Sequence, residues 1–345
     1  MKERETILTA EQKIIQEQLT LRAVVWDIQE MEADTDRLDR EMQIYQIYKV
    51  LLPRIRLIQK TSDLAFMPQC HIKDKKRGPF RKRCPLSRIR YEKAAEHLKK
   101  LGISEKEALL VTEDAQIAES VYQLREERPV SDNGIGVVYY EKEDSQRDVS
   151  SDMIVQGFEE VGVQFLDRIQ KRRNHLPWKI LYTERTCVQE ITLADLDELY
   201  LLYEGEGITD YTEPLYERQQ EEEYTKSYID GMYYYYGYGM WVVRDRETGA
   251  LIGRAGIDHR EVRGEVWMEL GYIIGREYQN KGYATEVCQA ILTYAREELE
   301  IEEMHCFIHP ENQVSIHLAE KLGFEMLSDA DPKQEELVHF RKSLE

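Results

Sequence analysis

The sequence predicts an α/β protein in which an N-terminal helical segment and a Rossmann-like α/β region precede a mixed, mostly antiparallel sheet flanked by helices. Three observations carry that prediction. Apolar residues recur near a 3.5-residue step over residues 14–52, residues 87–174 alternate helical and strand-like patterns, and residues 266–324 read strand, glycine turn, helix, strand, helix.

Over residues 14–52 the positions Leu21, Val25, Ile28, Leu38, Met42, Tyr45 and Leu52 predict helices packed as a hairpin, interrupted by Pro53. Packing within the chain accounts for that stripe, and self-association into a homodimer is a second use for it. Residues 73–90 hold nine basic residues and one acid, broken by Gly78, Pro79 and Pro85. That composition reads as a flexible loop, with RNA, an anionic ligand or the acidic second half as alternative partners. Cys70, His71 and Cys84 lack a fourth ligand at zinc spacing, so no metal is assigned. The predicted boundaries are 1–85, 86–177 and 178–345, the first two forming one domain or two.

The next stretch alternates. A helix runs to Leu101, Ala108-Leu109-Leu110-Val111-Thr112 is a strand, and residues 116–127 form a helix. Gly136-Val137-Val138-Tyr139-Tyr140 and Met153-Ile154-Val155 are strands, and residues 163–173 close the series as a helix. Residues 87–174 thereby resemble the later half of a haloacid-dehalogenase-type domain, with Glu113-Asp114 at the acidic pair that follows a strand and helps hold magnesium. That family also needs an aspartate nucleophile in an early D-x-D strand. Trp26-Asp27-Ile28-Gln29 falls within the helical pattern, so the resemblance predicts no phosphatase, leaving acceptor recognition, nucleotide binding or scaffolding.

From residue 178 onward strand signals dominate. Ile180-Leu181-Tyr182-Thr183 is a strand, Thr192 is the N-cap of a helix through Leu199, and Met240 to Asp245 pairs with Ala250 to Ile257 across Glu247-Thr248-Gly249. Residues 224–238 carry four consecutive tyrosines, Tyr233 to Tyr236, which could wall an acceptor cleft or pack against the neighbouring domain. Val266 to Ile274 is rich in aromatic and β-branched residues and reads as a strand that Gly275 and Arg276 end.

The turn that follows, Tyr278-Gln279-Asn280-Lys281-Gly282-Tyr283-Ala284-Thr285-Glu286, leads into a helix marked by Val287, Ile291, Leu292, Ala295 and Leu299. Its backbone N–H groups lie at a helix N-terminus. Unpaired amides and the helix dipole attract phosphate, and Gly282 and Ala284 admit a pyrophosphate close to the backbone. A strand, Met304 to His309, and the run Pro310-Glu311-Asn312-Gln313-Val314-Ser315-Ile316 precede a last helix ending in Lys321-Leu322-Gly323-Phe324.

Strand, Q-x-x-G-x-A, helix, strand, P-E-N-x-x-S-I, helix and K-L-G-F, in that order, resemble the GNAT superfamily of acetyl-CoA-dependent N-acetyltransferases, nearest in spelling to the ribosomal-protein alanine N-acetyltransferases. The resemblance spans residues 178–324, about half the chain. It implies a sheet splayed at the cofactor site and acetyl-CoA as cofactor. It implies that Gln279, Asn280, Lys281, Gly282, Tyr283, Ala284 and Thr285 hold the pyrophosphate, and that Tyr272, Ile273 and Ile274 pair with the pantetheine and supply an oxyanion donor. Asn312 would bond the pantetheine, cap the last helix, or do both. Glu269 stands where similar proteins often use a strand glutamate as base. The tyrosine that many members carry after the residue equivalent to Leu318 is Ala319 here, which leaves Ser315, a nearby tyrosine or water as the proton donor to the thiolate.

Charge is unevenly shared. Residues 178–345 contain 16 basic and 35 acidic residues, so this half carries the whole formal charge of −19, while the remainder holds 31 of each. Such a catalytic half favours cationic acceptors and disfavours nucleic acid. Glu217 and Glu221 to Glu223 could line the approach, although a charge run is ordinarily a solvated helix face. Five scattered cysteines argue against disulfides, and the absence of an apolar span or signal sequence predicts a cytoplasmic protein with no membrane partner. The expected function is transfer of acetyl from acetyl-CoA to a primary amine of a small molecule or protein N-terminus through a ternary complex. The alternative is a non-catalytic acyl-CoA or nucleotide sensor.

Overall fold

Strand β1 (Ala23–Asp27) lies inside a five-stranded parallel sheet in the order β2-β1-β3-β4-β5, where β2 is Tyr48–Leu51, β3 Ala108–Thr112, β4 Gly136–Tyr140 and β5 Met153–Val155. The computed structural model describes residues 15–16, 18–28, 35–51, 85–126, 134–142, 149–262, 264–327 and 337–345, and its contacts divide the chain into Met1–Asn174 and His175–Glu345. In the first unit every residue of β1, β3 and β4 is buried. Alternate residues feed two cores. Val24, Trp26, Leu109 and Val111 face helices α1 (Asp36–Ile44) and α4 (Val163–Arg173), whereas Ala23, Val25, Leu110 and Val137 face α2 (Pro85–Lys100) and α3 (Ala115–Glu126).

The helical hairpin predicted over residues 14–52 is therefore corrected to strand, helix, strand. Among the described residues of the predicted stripe, only Leu38 and Met42 face a core from a helix. A strand buried on both faces reads as a continuous apolar run, and Ala23-Val24-Val25-Trp26 carries no alternation to distinguish it from a helix. Asp27, read as helical, instead ends β1 beside β3, and its Oδ2 accepts a 2.7 Å hydrogen bond from the Thr112 hydroxyl. The basic stretch 73–84 and Cys70, His71 and Cys84 lie outside the described residues.

The second unit is built on an eight-stranded sheet in the order β12-β13-β11-β10-β9-β8-β7-β6. In chain order its elements are β6 (Lys179–Tyr182), β7 (Thr186–Gln189), α5 (Leu196–Tyr203), α6 (Arg218–Tyr228), β8 (Met240–Asp245), β9 (Leu251–Val262) and β10 (Glu265–Ile274). These are followed by α7 (Tyr283–Glu297), β11 (Glu303–Ile308), α8 (Gln313–Lys321), β12 (Glu325–Met326) and β13 (Val338–Ser343). All pairings are antiparallel except one. That exception, β10 with β11, has a single register position, Glu269 opposite His305.

The sheet opens at that point. Among the described residues no strand pairs with residues 270–274 on the β11 side, so a stretch of β10 backbone faces the gap between α7 and α8. The core that supports the gap unites Trp241, Ile252, Ile257, Leu270, Val287, Ile291 and Phe340. Among the described residues no helix is long and apolar enough to cross a membrane.

Candidate functional site

The turn into α7 is shaped by two left-handed residues, Asn280 at φ +58° and Gly282 at φ +81°. The Gln279 side chain holds its start, Nε2 donating to the Ile274 carbonyl at 2.9 Å. Gly282 occupies the N-cap position and no side chain caps the helix, so the first-turn amides of Tyr283, Ala284 and Thr285 are left for an external acceptor. Arg185 braces the turn from the β6–β7 connection. Its guanidinium pairs with Glu286 at 2.6 Å, donates to the Lys281 carbonyl at 3.0 Å and lies 4.1 Å from the Tyr283 ring centroid. No local pattern marks Arg185, since its partners stand about 100 residues away in sequence.

These amides border a cleft of about 490 Å³. It brings together Tyr272, Ile273, Ile274, Gln279, Asn280, Gly282, Tyr283, Ala284, Thr285, Asn312 and Ser315 from the predicted site. Glu269 and Lys281 are not among its lining residues. The α5–α6 loop lines another wall through Gly207, Ile208, Asp210, Tyr211 and Thr212. Sequence reasoning missed that loop. Tyr211 fastens it, stacking on His309 at 5.1 Å and donating its hydroxyl to the Glu311 carbonyl at 3.4 Å.

Asn312 caps α8, its Oδ1 accepting from the Ser315 N–H at 3.1 Å. The Ser315 carbonyl accepts from the Tyr272 hydroxyl at 3.2 Å. Ala319 is buried at 1 % exposure and faces the core, so the position where many similar proteins carry a tyrosine does not open on the cleft here.

Glu269 sits at the edge of the sheet opening. Arg260 holds its carboxylate in a two-pronged pair at 2.7 and 3.3 Å, and the nearby Phe307 N–H favours its anionic form as well. Burial pushes its pKa above the usual 4.5, opposed by Arg260 and reinforced by the negative charge of Asp258, its cross-strand neighbour. The carboxyl is thus easier to protonate than an ordinary glutamate, while Arg260 and the Phe307 amide stay in place to bind its anionic form.

The tyrosine segment forms two ring clusters. One is a ladder of Tyr216, Tyr224, Tyr228 and Tyr233 with centroid spacings of 5.5, 6.0 and 5.7 Å, two of its rings from α6 and one from the four-tyrosine run, and the other joins Tyr235, Tyr236, Tyr238 and His259. Tyr233 is fully buried and anchors the inner end, whereas Tyr224 is 42 % exposed. Burial, then the nearby Asp258 charge, raises the pKa of Tyr228; burial likewise leads at Tyr224, where Arg254 opposes it and Asp258 adds to it. The Asp258 charge therefore acts on Tyr224, Tyr228 and Glu269 together, with Arg254 beside the Tyr228 ring at 5.9 Å and Arg260 on Glu269 as the opposing cations. Glu221, read as part of a solvated helix face or of the approach, is buried instead and accepts from the Tyr216 N–H at 3.0 Å.

A family model described as an acetyltransferase (GNAT) domain matches residues 185–325. The uncharacterized protein YkkB of Bacillus subtilis is 31% identical over 144 residues, covering 41% of this chain and 83% of that protein. The uncharacterized N-acetyltransferase p20 of Bacillus licheniformis is 28% identical over 150 residues, 42% of this chain and 82% of that protein. The spermidine N(1)-acetyltransferase of Escherichia coli is 32% identical over 80 residues, 23% of this chain and 41% of that protein. The chain belongs, through its C-terminal half, to the GNAT superfamily of N-acetyltransferases. It is an acyltransferase whose cofactor is acetyl-CoA. The residues fit that cofactor: an uncapped fifteen-residue helix suits a pyrophosphate, and the unpaired edge of β10 suits an amide-bearing arm.

Proposed function

We propose that the C-terminal half moves acetyl from acetyl-CoA to a primary amine, on a small cationic molecule or a protein N-terminus, by direct attack within a ternary complex. The observation that carries this reading is the opening of the sheet beside Glu269, because it sets a half-buried carboxylate next to the backbone edge suited to the cofactor. Bound acetyl-CoA supplies an activated thioester. Asn280 to Thr285 would hold its pyrophosphate, Tyr272 to Ile274 would pair with its pantetheine, and an N–H of that edge would stabilise the oxyanion. Asn312 would keep its amide nitrogen available to the same arm.

An amine with pKa near 10 is mostly protonated at pH 7 and cannot attack until it loses a proton. Glu269 accepts that proton, directly or through water, while Arg260 holds the carboxylate oriented. Nitrogen then bonds to the acyl carbon as the carbon–sulfur bond breaks. The departing thiolate, with a pKa of about 8.5 like that of cysteine, leaves with modest help, for which Ser315, which lines the cleft, would be the donor.

The exposed ring of Tyr224, with the Asp258 charge near it, suits an ammonium group, since ring faces and carboxylates both attract cations, whereas the Tyr228 ring already has Arg254 beside it at 5.9 Å. The net charge of −19 in this half and the likeness to a spermidine acetyltransferase support a cationic acceptor. Thiol release from acetyl-CoA across polyamines, aminoglycosides and peptides with free N-termini tests the reading. Turnover with a cationic amine, lost in Glu269→Gln while coenzyme binding persists, is expected. Tight coenzyme binding without turnover on any acceptor would refute it in favour of a sensor.

A further inference from the structure

On the sheet face that carries Glu269, rings from three strands stack on one another. The Trp267 ring of β10 lies 4.7 Å from that of His305 on β11 and 4.8 Å from that of His339 on β13, at 18° and 21°, and Phe307 lies 4.4 Å from His339 at 11°. Under Trp267 the two imidazoles are buried and bonded to each other, His305 Nδ1 to His339 Nε2 at 2.9 Å. His305 also stands opposite Glu269 at the one register position that β10 and β11 share.

The partners assign the tautomers. His305 Nε2 lies 3.1 Å from the Glu303 carboxylate, which only accepts, so Nε2 carries the hydrogen and Nδ1 offers its lone pair to the Nε2–H of His339. Both rings are then neutral. A first proton is accommodated if His339 turns to its Nδ1–H form; a second sets two N–H groups against each other and breaks the bond. Arg341 of β13 and Arg260 of β9 disfavour an imidazolium, while Glu303 favours one at His305. Of the other carboxylates on this face, Glu269 is taken by Arg260 and Glu265 by the Trp267 indole N–H, Asp258 stands opposite Glu269 on β9, and Glu325 stands opposite Arg341 on β12. Burial is the largest effect and lowers both rings, His339 to about 4. An unfolded chain takes up these protons near the usual 6.5, so the stability that the neutral pair contributes above that value is lost as pH falls toward about 4.

We infer that His305 and His339 are positioning residues for Glu269: bonded to each other under Trp267, they hold β11 against β10 at the register position where the base stands, and acid opens that hold. The inference rests on the reading of Glu269 as the base. Backbone pairing gives little help, because among the described residues β10 and β11 share that single position, whereas β11 pairs with β13 along its whole length. The rings carry alignment from β13 across to β10.

The acid limb of kcat/KM and the emission of Trp267, both measured on the full chain, test this. Below about pH 5 the wild type should lose activity with a logarithmic slope of about two, since the pair and Glu269 both take up protons there. His339→Phe keeps a stacking ring without an N–H to oppose His305, and its slope should fall to about one whatever its plateau. The Trp267 emission, read as wild type minus Trp267→Phe, should dim as pH falls from 6.5 toward about 4, because an imidazolium quenches the indole stacked on it. A wild-type slope of about one, or the same slope in His339→Phe, would overturn the inference, as would an emission that stays level. Full activity in Glu269→Gln would sink the base and this inference with it, whereas a lost base with an unmoved slope in His339→Phe overturns the inference by itself.

Discussion

Two helices border the same cleft, and they begin differently. Helix α7 opens with left-handed Gly282 and no side-chain cap, whereas α8 opens with Asn312, whose own oxygen satisfies the Ser315 amide. Both ends carry a partial positive charge. Only at α7 is that charge left without a side-chain partner, so an anion gains most there. The α8 end has already been served and contributes side chains instead. A helix N-terminus becomes a binding site when its cap is withheld, and the preceding turn decides this: Asn280 and Gly282 turn the chain without placing an acceptor side chain on the amides.

The strands leading to these helices part at Glu269, and the largest effect is expected at that residue. Glu269→Gln should lower kcat by about a thousandfold with coenzyme affinity unchanged, in line with removal of a general base. Its activity also has a pH signature. Burial raises the carboxyl above 4.5, and the base works only when deprotonated, so the acid limb of kcat/KM should lie above that of an ordinary glutamate and rise with pH. Residual activity of Glu269→Gln should lack that limb. An unchanged limb in the variant would show that another group titrates.

At the α7 entry, Gly282→Glu should weaken coenzyme A binding by about a hundredfold through charge repulsion at the amides and backbone strain. Gly282→Ala isolates the strain, because it shares the φ of +81° without the charge, and should cost about 1 kcal/mol in stability. Calorimetry on both variants reads the difference; matching affinities would mean that no anion sits there. At the α8 entry, Asn312→Ala should destabilise the protein by about 1 kcal/mol by thermal melt, with a smaller loss of coenzyme affinity than Gly282→Glu. The reverse order would invert the comparison between the two ends. The smallest effect is expected from Arg185→Met, which removes a partly exposed brace at the turn and should lower coenzyme affinity only a few fold.

Much of this cleft was legible beforehand because its signals are local. The aromatic and β-branched run of β10, the Q-x-x-G-x-A turn and the spacing of Val287, Ile291 and Ala295 each lie within one element, and each formed the element they indicated. The first half was less readable. Ala23 to Asp27 is a strand covered on both faces, where every position can be apolar and the period disappears. Asp27 was consequently placed in a helix, although it ends the strand that Thr112 also approaches. The tyrosine segment was legible, but not that Tyr233 would anchor a ladder reaching back through Tyr228 and Tyr224 to Tyr216, whose alignment arises from the α6 turn spacing and the loop before it.

By itself the sequence determined where the chain must turn and which helix would start with open amides, because glycine tolerance, capping and apolar period act over a few residues. The family resemblance implied a splayed sheet; the tertiary structure alone decided that the parting falls after Glu269, that Arg260 clamps that carboxylate and Arg185 braces the turn, and that the 207–212 loop walls the cleft. Those features depend on register between distant strands and on contacts spanning up to about a hundred residues, for which no local pattern carries information.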